Sequence, residues 1–378
     1  MSNIINNMKT KLLLCVLFLG LHFQSKAQGI EPQVNENVEL MAILSRLAGF
    51  PEYHMDIAGQ YIKDIDQHFG PVLEHPAIFF MQDIRKQYGI SFDAVMSMGI
   101  HLLRENGVFS LLKEETNTLE RRWNEVDKTK FLNLLTDFYK KSSFQDFFES
   151  HRNFYRKGIR AYKEKVASQL DINWYDSFYG SKPGENFSVI IGFCNGGGNY
   201  GVNRHIRDKE KEVFAIVGYF VNEENEPLYN EECLPTLIHE FNHSFVNYLL
   251  DENKYPHHVK GLEKAGTYLF KSSQWAMSKQ AYEDWQTMIN ESLVRAAVIC
   301  YMLDKKYAPE EVRKELSAQL ERNFRWMPEL VCLLRKYEKK RNKYASLESF
   351  YPHIIDFFSD YAEKENNKLD IIDLYECP

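Results

Sequence analysis

Apolar residues recur every three to four positions over most of this chain and run together only in a short central region. The recurring pattern is typical of helices that bury one face. Before residue 170 it predicts helices over 39–49, 77–89, 92–103 and, as one long element, 144–170. After residue 230 it predicts helices around 234–249, 282–303, 309–324 and 346–364. Most of the protein is therefore expected to be helical.

The composition of the chain changes near Gly180. Segments 187–193 (FSVIIGF) and 213–221 (VFAIVGYFV) are apolar and rich in β-branched and aromatic residues, which predicts two strands. The segment 194–201 (CNGGGNYG) predicts a tight turn, because no Gly-Lys-Ser/Thr follows that would make it a phosphate loop. The expected fold class is α+β, predominantly α-helical. We expect a mainly helical N-terminal subdomain at 28–180 and a second region at 181–378 that combines a small β-sheet with a helical C-terminal part.

One predicted helix carries an unusual set of polar residues. Around TLIHEFNHSFVN (236–247), apolar residues repeat with helical spacing, so His239 and His243 lie one turn apart and about 40° apart around the axis. Both imidazoles can then point at one atom, and Glu240 can reach a group that is bound beside that atom. This H-E-x-x-H arrangement predicts two Zn²⁺ ligands and a glutamate that acts as general base on a zinc-bound water. The alternative is a hydrogen-bonded histidine pair without a metal.

A catalytic zinc takes a third protein ligand and keeps one position open for water. The candidates after the motif are His257, His258, Glu263, Glu283, Asp284 and Glu291. Within MINESLVRA, Asn290-Glu291 resembles the asparagine-glutamate pair of the gluzincin metallopeptidases, thermolysin-like enzymes included. This resemblance implies a zincin-like catalytic core in region 181–378, with an HExxH helix and a second ligand-bearing helix. It also implies that His239, His243 and Glu291 bind zinc, that Glu240 is the catalytic base, and that the substrate is a peptide or protein.

Two features depart from the gluzincin pattern. Glu291 lies farther along the chain from His243 than in thermolysin-like enzymes, and Glu263 is nearer the usual spacing. Arg295 stands one turn beyond Glu291, where those enzymes tend to have an acid. Arg295 could orient Glu291 as a ligand, or the two could form an ordinary i,i+4 ion pair. Glu263 therefore stays the rival third ligand.

A zinc peptidase also needs a surface for the substrate and a group that stabilises the oxyanion. Peptides often bind by strand addition to an exposed sheet edge, and segment 213–221 is the candidate edge, with an ordinary buried strand as the alternative. The candidates for the oxyanion stabiliser are Tyr268, Tyr282, His257, His258 and Arg295.

Most of the chain also resembles a family of secreted bacterial proteins that share an HEFxHSFVN core and are grouped as a domain of unknown function. The resemblance runs from NENVELMAILSRLAG through HEFNHSFVN to NESLVRA. It implies a zinc site and export, and it implies no substrate.

The N-terminus predicts where the protein acts. Lys9 and Lys11 precede an apolar run at 12–23, and Ser25-Lys26-Ala27 offers a small-x-small cleavage site, so residues 1–27 are expected to be a secretory signal peptide. Cleavage would remove three lysines and shift the formal net charge from −7 to −10, which argues against nucleic acid as a partner. No later segment is apolar enough to predict a membrane span. We therefore expect an exported protein, periplasmic or extracellular, without stable membrane insertion.

Three functions are compatible with these patterns. The first is a zinc-dependent metallopeptidase in which Glu240 activates the attacking water. The second is a zinc-dependent hydrolase of another amide or ester, which the same ligands would serve. The third is a non-catalytic binding protein that contains zinc. No C-x-x-C pair occurs among the cysteines, so a zinc ribbon or a dithiol redox motif is excluded.

Overall fold

The structure is a computed structural model, and it describes residues 30–113, 118–180, 185–207 and 209–371. Its fold class is α+β and mostly helical, as the sequence predicts. The predicted signal peptide at 1–27 lies outside the described residues. Within the described ranges, no helix is both long enough and apolar enough to cross a membrane.

Helices make up most of the described chain. The α-helices are α1 (Glu36–Leu47), α2 (Gln60–Phe69), α3 (Pro76–Tyr88), α4 (Asp93–His101), α5 (Lys128–Lys141), α6 (Phe144–Ser150), α7 (Arg152–Lys165), α8 (Asn173–Tyr179), α9 (Leu234–Val246), α10 (Pro256–Lys279), α11 (Trp285–Asp304), α12 (Pro309–Glu321), α13 (Met327–Glu338) and α14 (Leu347–Ile371). Short 3-10 helices lie at Pro51–Tyr53, Gly70–Val72, Arg121–Trp123, Ala167–Gln169, Glu231–Cys233 and Asn247–Leu250.

A four-stranded sheet lies at the centre of the fold. Its strands are β1 (Pro32–Gln33), β4 (Glu185–Gly192), β5 (Tyr200–Arg204) and β6 (Lys211–Gly218), in the order β1-β4-β6-β5. The first three run parallel, and β5 pairs antiparallel with β6. The apolar runs of β4 and β6 are buried, as expected for strands covered on both faces. Helix α9 packs against β5 and β6, and α4 packs against β5.

Of the two interpretations of segment 213–221, the structure confirms the ordinary buried strand, and the candidate sheet edge is wrong. Most of that segment forms β6, which hydrogen-bonds with β4 on one side and β5 on the other, so its backbone has no free edge. The outermost strand on this side is β5, and its first residues, Tyr200 and Gly201, belong to the segment predicted as a glycine-rich turn. The chain therefore turns earlier than predicted and returns as a short antiparallel strand.

The single helix predicted over 144–170 is also wrong, because the chain breaks at His151. This residue leaves helical geometry, with φ −97° and ψ 7°, between α6 and α7. The Ser150 hydroxyl donates to the Phe147 carbonyl at 2.7 Å, and the His151 ring contacts the same oxygen at 2.8 Å. Side chains that bond to nearby carbonyls in this way compete with the helix for its acceptors.

The helix predicted over 92–103 ends at His101, and a hairpin follows. Strands β2 (Leu102–Glu105) and β3 (Val108–Leu111) pair antiparallel across Asn106 and Gly107. Both turn residues have positive φ, 51° and 73°, which is the requirement of a two-residue hairpin turn. The Asn-Gly dipeptide is the sequence signal for this turn, and the apolar helical spacing before it obscured the signal.

The predicted division near Gly180 stays a prediction. Strand β1, from before that point, pairs with β4, from after it. One hydrophobic cluster also runs from Val38 on α1 to Ala362 on α14. The sheet and the core thus both draw on the two predicted regions.

Candidate metal centre

Helix α9 positions the two motif histidines as the sequence predicts. A turn at Glu231–Cys233, capped by the Asn230 side chain, leads into the helix, and Pro235 occupies its first turn, where a missing N–H has no cost. The apolar face of α9 is buried, through Leu234, Leu237, Ile238, Phe241, Phe245 and Val246. His239 and His243 are only partly covered, with 17% of each side chain exposed. Both imidazoles are thus fixed by a buried helix and remain accessible.

Helix α11 brings the third group to the same point. Asp284 caps this helix by accepting from the Thr287 N–H at 2.7 Å, and α11 packs against α9. Glu291, two turns into the helix, is buried and faces the two histidines. The packing of α9 on α11 therefore brings together side chains about fifty positions apart in the chain.

The ligand atoms of the triad form a compact triangle. The Nε2 atoms of His239 and His243 lie 3.2 Å apart. Glu291 Oε1 lies 3.4 Å from His243 Nε2, and Glu291 Oε2 lies 3.6 Å from His239 Nε2. Among the residues that the structure describes, this is the group of histidine, cysteine and acidic side chains that could hold a metal ion.

The protonation states suit a metal ligand set. Burial lowers the pKa of His239 well below its usual value, which favours the neutral ring and its lone pair. Burial raises the pKa of Glu291, but electrostatic interactions with the His239, Arg295 and His243 side chains and a hydrogen bond from Tyr282 outweigh this effect and lower the pKa to about 2. On His243, Nδ1 lies 3.1 Å from Asn247 Oδ1, and a donated N–H there directs Nε2 and its lone pair at the centre.

Arg295 and Tyr282 hold Glu291 from the other side. Arg295 Nη2 and the Tyr282 hydroxyl both lie 2.9 Å from Glu291 Oε2. Arg295 Nη2 also donates to the Tyr282 oxygen at 2.7 Å, and its Nη1 donates to Gln319 Oε1 at 3.0 Å. The predicted i,i+4 pair is therefore part of a partly buried network that orients the carboxylate and leaves Oε1 free of these donors.

Glu240 lies beside the triad and within reach of β5. Its side chain is buried, and burial raises its pKa to about 7. The backbone of Gly201 hydrogen-bonds with it and opposes that shift. A proton acceptor with a pKa near neutrality can accept a proton and give it back, as a general base must. No motif or spacing in the sequence indicates the contact between Gly201 and Glu240.

The other candidate ligands lie elsewhere. Glu263 and His257 are exposed on α10, and Glu283 is exposed before α11. His258 is buried, donates its Nδ1–H to the Leu249 carbonyl at 2.9 Å, and stacks on Tyr351. Asp284 is engaged as the cap of α11. Of the predicted oxyanion stabilisers, Tyr282 and Arg295 reach the triad, whereas Tyr268 lies half-buried on α10 and the histidines are placed as described above.

Comparison with known protein families assigns this chain to one family. The family described as a domain of unknown function, DUF4932, matches residues 30–357. This match spans most of the chain, so the protein belongs to the DUF4932 family. It includes α9 and α11 with all three residues of the triad. Neither the search of curated proteins nor the search of solved structures found a match.

Proposed function

We propose that this DUF4932 protein is an exported zinc metallopeptidase with a zincin-like, gluzincin-type catalytic core. The observation that carries the proposal is the convergence of His239, His243 and Glu291, with Glu240 buried directly beside them. A histidine pair on one helix and a glutamate from a second helix form the ligand set expected of a catalytic zinc. Among the described residues three side chains converge, and a zinc ion with three protein ligands has a fourth position for water or substrate.

The donor set and its dimensions fit zinc. Two imidazoles and a carboxylate suit Zn²⁺ better than Mg²⁺ or Ca²⁺, which prefer oxygen ligands. With zinc–nitrogen distances of about 2.0–2.1 Å, the ligand atoms of a tetrahedral site are about 3.3 Å apart. The separations within the triad are 3.2, 3.4 and 3.6 Å. These side chains can therefore bind the ion with little movement.

The chain supplies a zinc ligand set and a general base for hydrolysis. Zinc held by the triad would act as a Lewis acid on the scissile carbonyl and on a water molecule. Glu240 accepts a proton from the attacking water and returns it to the amine that leaves. Arg295 and Tyr282 keep Glu291 ionised and oriented.

The position of β5 favours a peptide over other amide or ester substrates. This strand is one of the two edge strands of the four-stranded sheet, and it passes beside Glu240 at Gly201. An extended peptide can bind such a strand through main-chain hydrogen bonds, which would place its backbone next to the catalytic helix. The export part of the proposal depends on the signal-peptide pattern at 1–27.

Metal analysis combined with peptide digestion tests the proposal. The mature chain and its His239→Ala and Glu240→Gln variants would be purified, their zinc content measured, and new peptide amines detected by mass spectrometry after incubation with a peptide library. Glu263→Gln is the matched control, because it removes an exposed carboxylate from α10.

We expect one zinc ion per wild-type chain and hydrolysis that a chelator abolishes. His239→Ala should lose zinc, Glu240→Gln should retain zinc and lose at least about 100-fold in rate, and Glu263→Gln should match the wild type. Full zinc in His239→Ala would refute the site, and hydrolysis at the wild-type rate by Glu240→Gln would refute the role of the base. Zinc-dependent cleavage that yields no new peptide amine would refute the peptidase assignment.

A further inference from the structure

Asn242 is a fully buried polar residue inside the motif helix, between the two histidines. Its side-chain Nδ2 donates to the backbone carbonyl of Val294 on α11 at 3.2 Å. Its Oδ1 accepts from the Tyr179 hydroxyl of α8 at 2.9 Å. The amide group thus joins three helices through hydrogen bonds in the protein interior.

The bond to Val294 connects the two helices that carry the triad. Asn242 directly precedes His243 on α9, and Val294 lies three residues after Glu291 on α11. The carbonyl of a helical residue has a second lone pair that can accept from a side chain while it serves the helix. The hydrogen bond therefore lies within about one turn of a triad residue on both helices.

The triad forms only when α9 and α11 keep one axial position relative to each other. Apolar packing alone controls this register weakly. Sliding one helix by a single residue moves its side chains by about 1.5 Å along the axis. Metal–ligand distances tolerate only about 0.2 Å. A hydrogen bond is directional and short-ranged, so a bond between α9 and α11 resists such a slide more strongly than apolar contacts of similar area.

Burying a side-chain amide costs free energy unless its polar groups are hydrogen-bonded. An apolar side chain of similar size would need no hydrogen-bond partners at this position, whereas the amide must satisfy each of its polar groups. Buried polar residues in helix pairs are best attested as devices that fix register. The hydrogen bond from Asn242 on α9 to Val294 on α11 supports this role, because it joins the two ligand-bearing helices.

We infer that Asn242 is a positioning residue, which sets the register of α9 against α11 and thereby the affinity of the triad for zinc. The inference rests on the proposed zinc site. It assigns Asn242 no contact with metal or substrate.

The test compares zinc dissociation constants, measured by competition with a chromophoric chelator. Asn242→Leu keeps the approximate volume and removes the hydrogen bonds with Val294 and Tyr179, and Asn242→Ala is a second variant that avoids any clash of the leucine. Ser292→Ala is the matched control. Its hydroxyl is buried on α11 next to Glu291, but it accepts from Trp326 Nε1 at 2.9 Å and so ties α11 to an element other than α9.

Both Asn242 variants should bind zinc about tenfold or more weakly than the wild type. Ser292→Ala should lower the temperature of thermal unfolding and leave the zinc affinity within about twofold, because its bond does not join the ligand-bearing helices. Wild-type affinity in either folded Asn242 variant would overturn the inference while leaving the zinc site intact. An equal loss of affinity in Ser292→Ala would also overturn it, since general stability would then explain the effect. A wild-type chain that binds no zinc would overturn the proposed function as well.

Discussion

A Cβ atom on Gly201 would lie 2.6 Å from the carbonyl oxygen of Glu240 and 3.4 Å from its Oε2. Contacts below 3.0 Å to backbone atoms force the structure to shift, and the Glu240 backbone is held in the middle of α9. The absence of a side chain at Gly201 is therefore what lets β5 lie against α9. This contact keeps β5, the proposed substrate-binding strand, next to Glu240, the proposed base.

The first prediction concerns Gly201→Ala. The added methyl should push β5 away from α9, lower the free energy of unfolding by about 1–3 kcal/mol and reduce peptide hydrolysis at least tenfold. Zinc content should change less than hydrolysis, because the triad lies on α9 and α11. Urea unfolding, zinc analysis and a peptide assay measure these effects.

Gly70→Ala is the control for this prediction. A Cβ at Gly70 meets no atom within 4 Å, and the residue has an ordinary φ of −47°. This variant should keep wild-type hydrolysis. If Gly201→Ala were as active and as stable as Gly70→Ala, the close contact with Glu240 would have no functional role.

The second prediction decides between the rival third ligands. Glu291→Gln should weaken zinc binding at least 100-fold, because it replaces a charged ligand whose oxygens lie 3.4 and 3.6 Å from the histidine nitrogens. Glu263→Gln should bind zinc as the wild type does, since Glu263 is exposed on α10. Isothermal titration of the metal-free proteins measures both affinities. The reverse ranking would mean that the chain rearranges when it binds the metal.

The third prediction concerns the hydroxyl of Tyr282. Tyr282→Phe removes the donor to Glu291 Oε2 and one acceptor of Arg295, so Glu291 should be less firmly oriented. We expect zinc affinity to fall about 10- to 100-fold. Tyr344→Phe is the matched control, because its hydroxyl bonds with His353 instead. Unchanged zinc affinity in Tyr282→Phe would mean that Arg295 alone orients the glutamate.

The helical pattern predicted the main elements of the fold because it reports burial of one helix face. The pattern could not detect the break at His151, since that break comes from side-chain bonds to the Phe147 carbonyl and leaves the apolar spacing intact. The sequence pattern also left open whether segment 213–221 lies at an edge of the sheet or inside it. Strand order depends on contacts between distant segments, and β5 is too short and too rich in glycine and polar residues to stand out.

The candidate site also contains residues that could be predicted from the sequence and residues that could not. His239, Glu240 and His243 could be predicted because one helix fixes their relative positions. Glu291 was selected among its rivals through a resemblance, and the structure brings it to the histidines. The contributions of Gly201, Gln319 and Asn242 could not be predicted, because each depends on packing between elements that are far apart in the chain.

The last prediction concerns a buried carboxyl outside the site. Glu39 on α1 is fully buried and accepts from the backbone N–H groups of Phe193 and Cys194 at 3.0 and 2.6 Å. Burial raises its pKa from 4.5 to about 7, and these hydrogen bonds only partly oppose the shift. Because the folded protein holds this proton more tightly than the unfolded chain, Glu39 supports the fold fully below about pH 4.5. That support is lost as the pH rises to about 7, and it amounts to about 3 kcal/mol.

Urea unfolding from about pH 5 to pH 8 should therefore show the wild type losing stability relative to Glu39→Gln, which cannot ionise. Glu263→Gln, which removes an exposed charge, should follow the wild type at every pH. A constant difference between wild type and Glu39→Gln across this range would mean that Glu39 is already ionised in the folded protein at the lowest pH, held by its two backbone hydrogen bonds.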